Sequence, residues 1–117
     1  MLKTLPQLIA EASAELRVVD ANTARQELSE NQGVLVDVRE PPETVVNPAN
    51  GSINIPRGVL EIKMPESFPD PDHPIYLHCA TGGRARLGAE QLERLGYRRV
   101  TAISCSLETV CEVFDED

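Results

Sequence analysis

Tryptophan is absent from this chain, and the other aromatic residues are scarce: two Phe and two Tyr in 117 residues. A core must therefore be built from Leu, Ile, Val and Ala. Cysteine is sparse too, with three residues at positions 79, 105 and 111. An odd number at wide spacing is not a disulfide framework, and a chain of 117 residues can close a hydrophobic core without staples. No apolar run approaches the roughly 20 residues needed to cross a bilayer. The first 16 residues carry Lys3, Pro6, Glu11 and Glu15 and lack the apolar centre of a secretory signal. Positive charge is in deficit, 11 basic against 19 acidic residues, net −8. That balance disfavours nucleic acid and anionic membrane surfaces as partners. Together these absences lead to the expectation of a reducing, cytoplasmic setting with at least one free thiol.

What remains is ordinary for a globular protein, 41% hydrophobic and 26% charged, and the length fits a single domain over 1–117. Apolar periodicity predicts a helix over 2–16, with Leu5, Leu8, Ile9 and Ala12 on one face. A short strand follows at 16–19 and a helix at 23–30, stopped near Gly33. Val34 to Val38 is an apolar, β-branched run of strand length. Residues 41–54 are rich in Pro, Asn, Gly and Ser and read as loop, with a brief strand at 53–56 and a helical turn at 58–64. The four prolines of 65–74 mark a surface loop. A second buried strand spans 75–79. An amphipathic helix spans 84–95, with Ala85, Gly88, Ala89, Leu92 and Leu95 inward and Gly96 as its cap. A strand at 99–103 and a helix at 107–114 complete the domain, whose end, 104–117, is a C-terminal helix and an acidic tail. Apolar strands alternating with helices imply an α/β domain with a mainly parallel sheet. Ligands of such sheets sit beyond the carboxyl ends of the strands.

Two polar segments fall at that edge: Asp37-Val38-Arg39-Glu40 and Cys79-Ala80-Thr81-Gly82-Gly83-Arg84. In the second, a strand fixes the cysteine, and Gly82 and Gly83 permit a tight turn of positive φ. A turn closing onto a helix N-terminus can aim several N–H groups inward as an anion nest, and Arg84 and Arg86 add positive charge. Such surroundings favour the thiolate form of a cysteine. The same residues would hold an anionic substrate or the outer sulfur of a persulfide. A Cys-x5-Arg phosphatase loop must enclose a whole phosphoryl group; here the arginine comes one residue early, and the tighter ring suits a single sulfur atom. Sulfur transfer also needs no general acid when the leaving group is as good as sulfite.

The segments VLVDVRE (34–40), GSINIPRGVLE (51–61) and the CxxGxR loop (79–84) resemble single-domain rhodaneses, in order, from about Val18 to Ile103. The resemblance implies a parallel five-stranded sheet flanked by helices on both faces. It implies a sulfurtransferase that moves sulfane sulfur from thiosulfate, a similar anion or a persulfide donor to cyanide or a protein thiol. By that resemblance Cys79 is the nucleophile, the amides of Ala80, Thr81, Gly82, Gly83 and Arg84 cradle the persulfide, and Arg84 organises the loop. No metal and no cofactor are expected. The sequence departs from the family pattern at Asn47-Pro48-Ala49, where Gly-His-Ile is common, at Thr44, where an aromatic is common, and at Ser104-Cys105-Ser106, where a glycine pair is common.

Asp37 and Arg39 either support the active loop or form a local ion pair closing the strand end. Arg57 either meets an anionic substrate or is a solvated surface residue. Cys105 either resolves or relays the Cys79 persulfide or caps its strand as a small apolar residue. His78, adjacent to Cys79 on a strand, is aimed at the other face and reads as core; Cys111 reads as core, and His73 as solvated. Two further functions stay open: a sulfur-carrier or redox-sensing module using Cys79 and Cys105 with low turnover on small molecules, and a phosphatase or arsenate reductase on a related loop. Asp115-Glu116-Asp117 reads as a solvated acidic end.

Overall fold

The sheet is assembled from five runs of three or four residues. In the computed structural model, which describes residues 1–115, these are β1 (Arg17–Val19), β2 (Val34–Asp37), β3 (Ser52–Asn54), β4 (Ile75–His78) and β5 (Val100–Ile103), all parallel, in the order β1-β5-β4-β2-β3. Strands this short can nevertheless order because the inner three are covered on both faces. Side chains alternate along each strand, so Val36, Ile75, Leu77 and Val100 enter one core and Leu35, Tyr76 and Ile103 the other. The first core is closed by α4 (Leu60–Ser67) and α5 (Gly83–Leu95), the second by α2 (Ala21–Asn31) and α6 (Leu107–Phe114). Helix α1 (Leu5–Ser13) lies outside α5, and α3 (Pro41–Val46) follows β2 at the carboxyl edge of the sheet. The five-stranded parallel sheet between two helical layers is the architecture expected from the sequence.

The element ends follow local chemistry. Thr4 caps α1 through the Gln7 amide, Asp20 caps α2 through Thr23, and Ser106 caps α6 through Thr109. Helix α1 is thus shorter than the expected 2–16. Helix α2 runs to Asn31 and stops on Gln32, which takes the left-handed conformation itself (φ 57°) ahead of Gly33. Helix α5 ends on Gly96 at φ 118°.

Four expectations fail on specific residues. Pro41–Val46 is helical, because proline is tolerated in a first helical turn, where its missing N–H is not needed. Arg57–Val59 and Leu60–Ser67 form a 3₁₀ turn and a full helix rather than one turn, with Pro65 inside the helix. Leu95 is half exposed and does not join the inner face of α5. His73 is not simply solvated either, for its ring packs against Phe68 at 4.8 Å. Of the acidic end, Asp115 is exposed, and Glu116 and Asp117 lie outside the described residues. Among the described residues, no helix is long and apolar enough to cross a membrane.

Gly33 admits the chain to β2 beneath Pro74. A Cβ there would stand 2.7 Å from the Pro74 carbonyl oxygen, and that oxygen already accepts the Val34 N–H at 2.9 Å. Gly33→Ala is therefore expected to destabilise the fold by about 1–3 kcal/mol, the usual cost of overpacking, read as a lower urea midpoint.

Candidate active site

Cys79 follows β4 directly and is 1% exposed. The chain then turns through Ala80 and Thr81 to Gly82, whose φ of 96° only glycine adopts without strain, and enters α5 at Gly83. The turn brings two amides onto the thiol: Gly82 N–H donates to Cys79 Sγ at 3.1 Å and Ala85 N–H at 3.3 Å. Both belong to the free N-terminal donors of α5. Of the expected cradle of residues 80–84, Gly82 makes this contact, and Ala85, one residue beyond it, supplies the other donor. Ala80 instead braces the loop from outside, its carbonyl accepting the Leu107 N–H at 2.9 Å. Gly83 is glycine for reasons of space rather than φ, since a Cβ there would meet Ile9 Cδ1 of α1 at 2.9 Å.

Arg84 spends its hydrogen bonds away from the sulfur, although its charge still couples to Cys79. Its guanidinium makes two hydrogen bonds to Glu43 of α3, at 2.7 and 3.0 Å. The Arg84 bonds, joined by the Glu40 amide, hold the Glu43 carboxyl down at about 2. Sequence reasoning missed Glu43. A signal was present, because Glu40-Pro-Pro-Glu43 places an acid at the third helical position, where it accepts the Glu40 N–H at 3.0 Å.

Asp37 and Arg39 are 0% and 2% exposed and pair at 2.7 Å. The local ion pair is present. The pair closes the end of β2, and Arg39 also donates to the Glu43 and Asn47 carbonyls at 3.3 and 2.8 Å, which ties down the end of α3. Thr44 donates its hydroxyl to Asp37 at 3.1 Å, a use for the residue that stands where the family pattern has an aromatic. Asn54 donates to the Asp37 and Arg39 carbonyls at 2.9 and 2.8 Å. Burial alone pushes the Asp37 carboxyl up, but the Arg39 hydrogen bonds outweigh it and leave it below its ordinary value.

Arg57 pairs with Glu61, four residues on, at 2.6 Å. Cys105 is not brought to Cys79. Its sulfur accepts the Ala21 N–H at the start of α2, at 3.2 Å, and it packs on the core opposite to that of Cys79. Cys111 is only partly buried on the same side, and burial raises its thiol. His78 is wholly buried on the α2/α6 face, level with Asp37 in the β2–β4 register. Neither of its ring nitrogens has a hydrogen-bond partner among the described residues. Burial drives it down to about 4 against the opposing pull of Asp37.

A family model described as the rhodanese-like domain matches residues 20–112. A curated sulfurtransferase of Allochromatium vinosum is 31% identical over 83 residues, covering 70% of this chain and 76% of that protein. Among solved structures, a protein of unknown function from Rhodopseudomonas palustris, described as a possible tyrosine phosphatase, matches with a TM-score of 0.81 at 21% identity, over 96% of this chain and 92% of that one. The human single-domain sulfurtransferase matches with a TM-score of 0.67 at 24% identity, over 77% and 90%. These two structural likenesses show the fold. By the family match, the chain belongs to the rhodanese-like domain family, whose members include sulfurtransferases.

Asp37→Asn leaves the Arg39 charge buried without its counter-ion, and a urea titration is expected to show a loss of about 3–5 kcal/mol. His78 sets an acid sensitivity. Between its ordinary 6.5 and about 4 the unfolded chain binds a proton that the folded chain refuses, so stability falls as pH drops through that window. Glu43 contributes only lower down, between its ordinary 4.5 and about 2. In urea titrations at a series of pH values, His78→Leu is expected to remove the upper part of the slope and leave the lower part.

Proposed function

We propose that the protein is a sulfurtransferase that carries a sulfane sulfur on Cys79. The observation behind this reading is the convergence of two backbone N–H groups, Gly82 and Ala85, on one buried sulfur at the N-terminus of α5. Preorganised donors of this kind stabilise negative charge on sulfur with little reorganisation during the reaction. The Cys79 thiolate attacks the outer sulfur of the donor. A new S–S bond forms as the donor's bond to that sulfur breaks, and the leaving group, sulfite if the donor is thiosulfate, takes the electron pair. In the second step an acceptor nucleophile, cyanide or a protein thiol, attacks the outer sulfur of the persulfide and the pair returns to Cys79. Neither leaving group requires a proton, which suits a site whose adjacent histidine faces away.

The description of the Rhodopseudomonas neighbour raises phosphoryl chemistry. A phosphatase loop would place its arginine at position 85, where this chain has an alanine whose amide is spent on the sulfur. The sulfur reading is therefore preferred.

Exposure to thiosulfate, or to inorganic polysulfide, should add the mass of one sulfur to the intact protein, and cyanide should then remove it as thiocyanate. Cys79→Ser should abolish both events while Cys105→Ser leaves both in place. A mass shift without turnover would make the domain a carrier, and no shift with either donor would overturn the proposal. Phosphate release from an aryl phosphate would favour the phosphatase reading instead.

A further inference from the structure

Glu43 is held from two sides besides its contact with Arg84. Its carboxylate accepts the Glu40 N–H at 3.0 Å. Its carbonyl accepts an N–H of the Arg39 guanidinium at 3.3 Å, and that guanidinium is anchored in turn by the buried Asp37. Arg84 is the looser partner. Among the described residues its side chain hydrogen-bonds to Glu43 alone, at 2.7 and 3.0 Å. The carboxylate therefore positions the guanidinium, and not the reverse. The two side chains, Arg84 and Glu43, are 37% and 38% exposed, and a pair this open adds little to stability. Its consequence is the place it gives to a positive charge.

That place bears on the sulfur. Arg84 is the second residue of α5 and directly precedes Ala85, whose amide donates to Cys79 Sγ. The charges that act on the Arg84 guanidinium are those of Glu43, Cys79 and Asp37, whereas those that act on Glu43 are Arg84 and Arg39. Glu43 and the thiol thus communicate through Arg84. Of the two other anions that act on the guanidinium, Asp37 is closed to it. Its oxygens already accept from the Arg39 amide, the Arg39 guanidinium and the Thr44 hydroxyl. The Cys79 thiolate is open to it. Arg57 is paired with Glu61, and Arg86, two residues beyond Arg84, starts on another side of α5. A guanidinium released by Glu43 would therefore turn to the sulfur.

We propose that Glu43 is a positioning residue of this site: it holds the Arg84 guanidinium off Cys79 and leaves the sulfur to the Gly82 and Ala85 amides. This role rests on the sulfurtransferase reading above. A thiolate paired with a guanidinium forms more readily but attacks sulfur more slowly, because the nucleophilicity of a thiolate falls with the pKa of its thiol. By restraining Arg84, Glu43 preserves the reactivity of the ionised sulfur toward the S–S bond it attacks.

The test titrates the thiolate by its ultraviolet absorbance in a Cys105→Ser/Cys111→Ser background, where Cys79 is the one thiol left. Tyr76 and Tyr97, the two tyrosines, are both held above their ordinary value by burial, which separates them from the thiol. Glutamine still accepts the Glu40 N–H at the third helical position, so Glu43→Gln keeps α3 and removes the charge that grips Arg84. It is expected to lower the Cys79 midpoint by about 0.5–1 pH unit, as when a cation comes within reach of an anion. In an Arg84→Gln background the same substitution should leave the midpoint where it is. At a pH above both midpoints, the Glu43→Gln thiolate should react about twofold to threefold more slowly with neutral dipyridyl disulfide. A midpoint that is unchanged or raised in Glu43→Gln would overturn the proposal, as a purely structural brace would leave it unmoved. So would an equal fall in the Arg84→Gln background, which would make Glu43 act by its own charge, or a thiolate that reacts no more slowly. Absence of added sulfur with thiosulfate and with polysulfide, beside the expected midpoints, would instead overturn the sulfurtransferase reading and leave the placement of Arg84 standing.

Discussion

The buried pair of Asp37 and Arg39 is the constraint on which the edge of the sheet depends. Arg39 is spent in three directions at once: on the Asp37 carboxylate, on the Glu43 carbonyl and on the Asn47 carbonyl. It therefore joins the end of β2 to the C-terminal end of a six-residue helix too short to hold itself together. That helix presents Glu43, Glu43 grips Arg84, and Arg84 is the second residue of α5. The amides that meet the sulfur lie immediately around it. A charge buried at this cost is poor evidence of stability for its own sake; here it converts the end of one strand into the position of a loop on the next.

The alternation of side chains along β4 then decides which chemistry that loop has at hand. Cys79 falls on the α5 side and His78 on the other, where it packs as a neutral ring beneath α2 and α6. In the proposed sulfur chemistry Cys79 has no neighbouring base, and the groups that meet its sulfur are the backbone amides of Gly82 and Ala85 at the start of α5. The same division separates Cys79 from Cys105. Relay between the two thiols would need one to cross the sheet or its edge, so the loop at 104–106 contributes by bracing Ala80 through Leu107 rather than by offering its sulfur.

Most of this framework was legible in the sequence. The apolar runs of β2, β4 and β5, the Gly82 turn and the amphipathic α5 each have a local cause that pattern reading detects. Helix α3 was hidden because Pro41 and Pro42 suggest loop by composition, while at the first helical turn they are harmless. Partnership was hidden more deeply. That Arg84 belongs to Glu43, 41 positions away, is an outcome of folding that no local pattern states, whereas Arg57 and Glu61 are four residues apart and within reach of local reading. Reading the arginines singly gave a cationic mouth; the fold pairs Arg39, Arg57 and Arg84 with carboxylates, while the buried Nε of Arg86 has no hydrogen-bond partner among the described residues. The stripe of Leu5, Leu8 and Ile9 was visible as periodicity, but that Ile9 meets Gly83 at the start of α5 is an outcome of folding.

A chain of net charge −8 faces a conflict in the proposed sulfur chemistry. Its overall field repels the inorganic anions that carry sulfane sulfur most simply, and steering over long range works against them. Free arginines at the mouth would relieve that repulsion at modest cost. Instead Arg39, Arg57 and Arg84 are each paired with a carboxylate, and the Gly82 and Ala85 amides, which meet the Cys79 sulfur, attract negative charge over hydrogen-bonding distance alone.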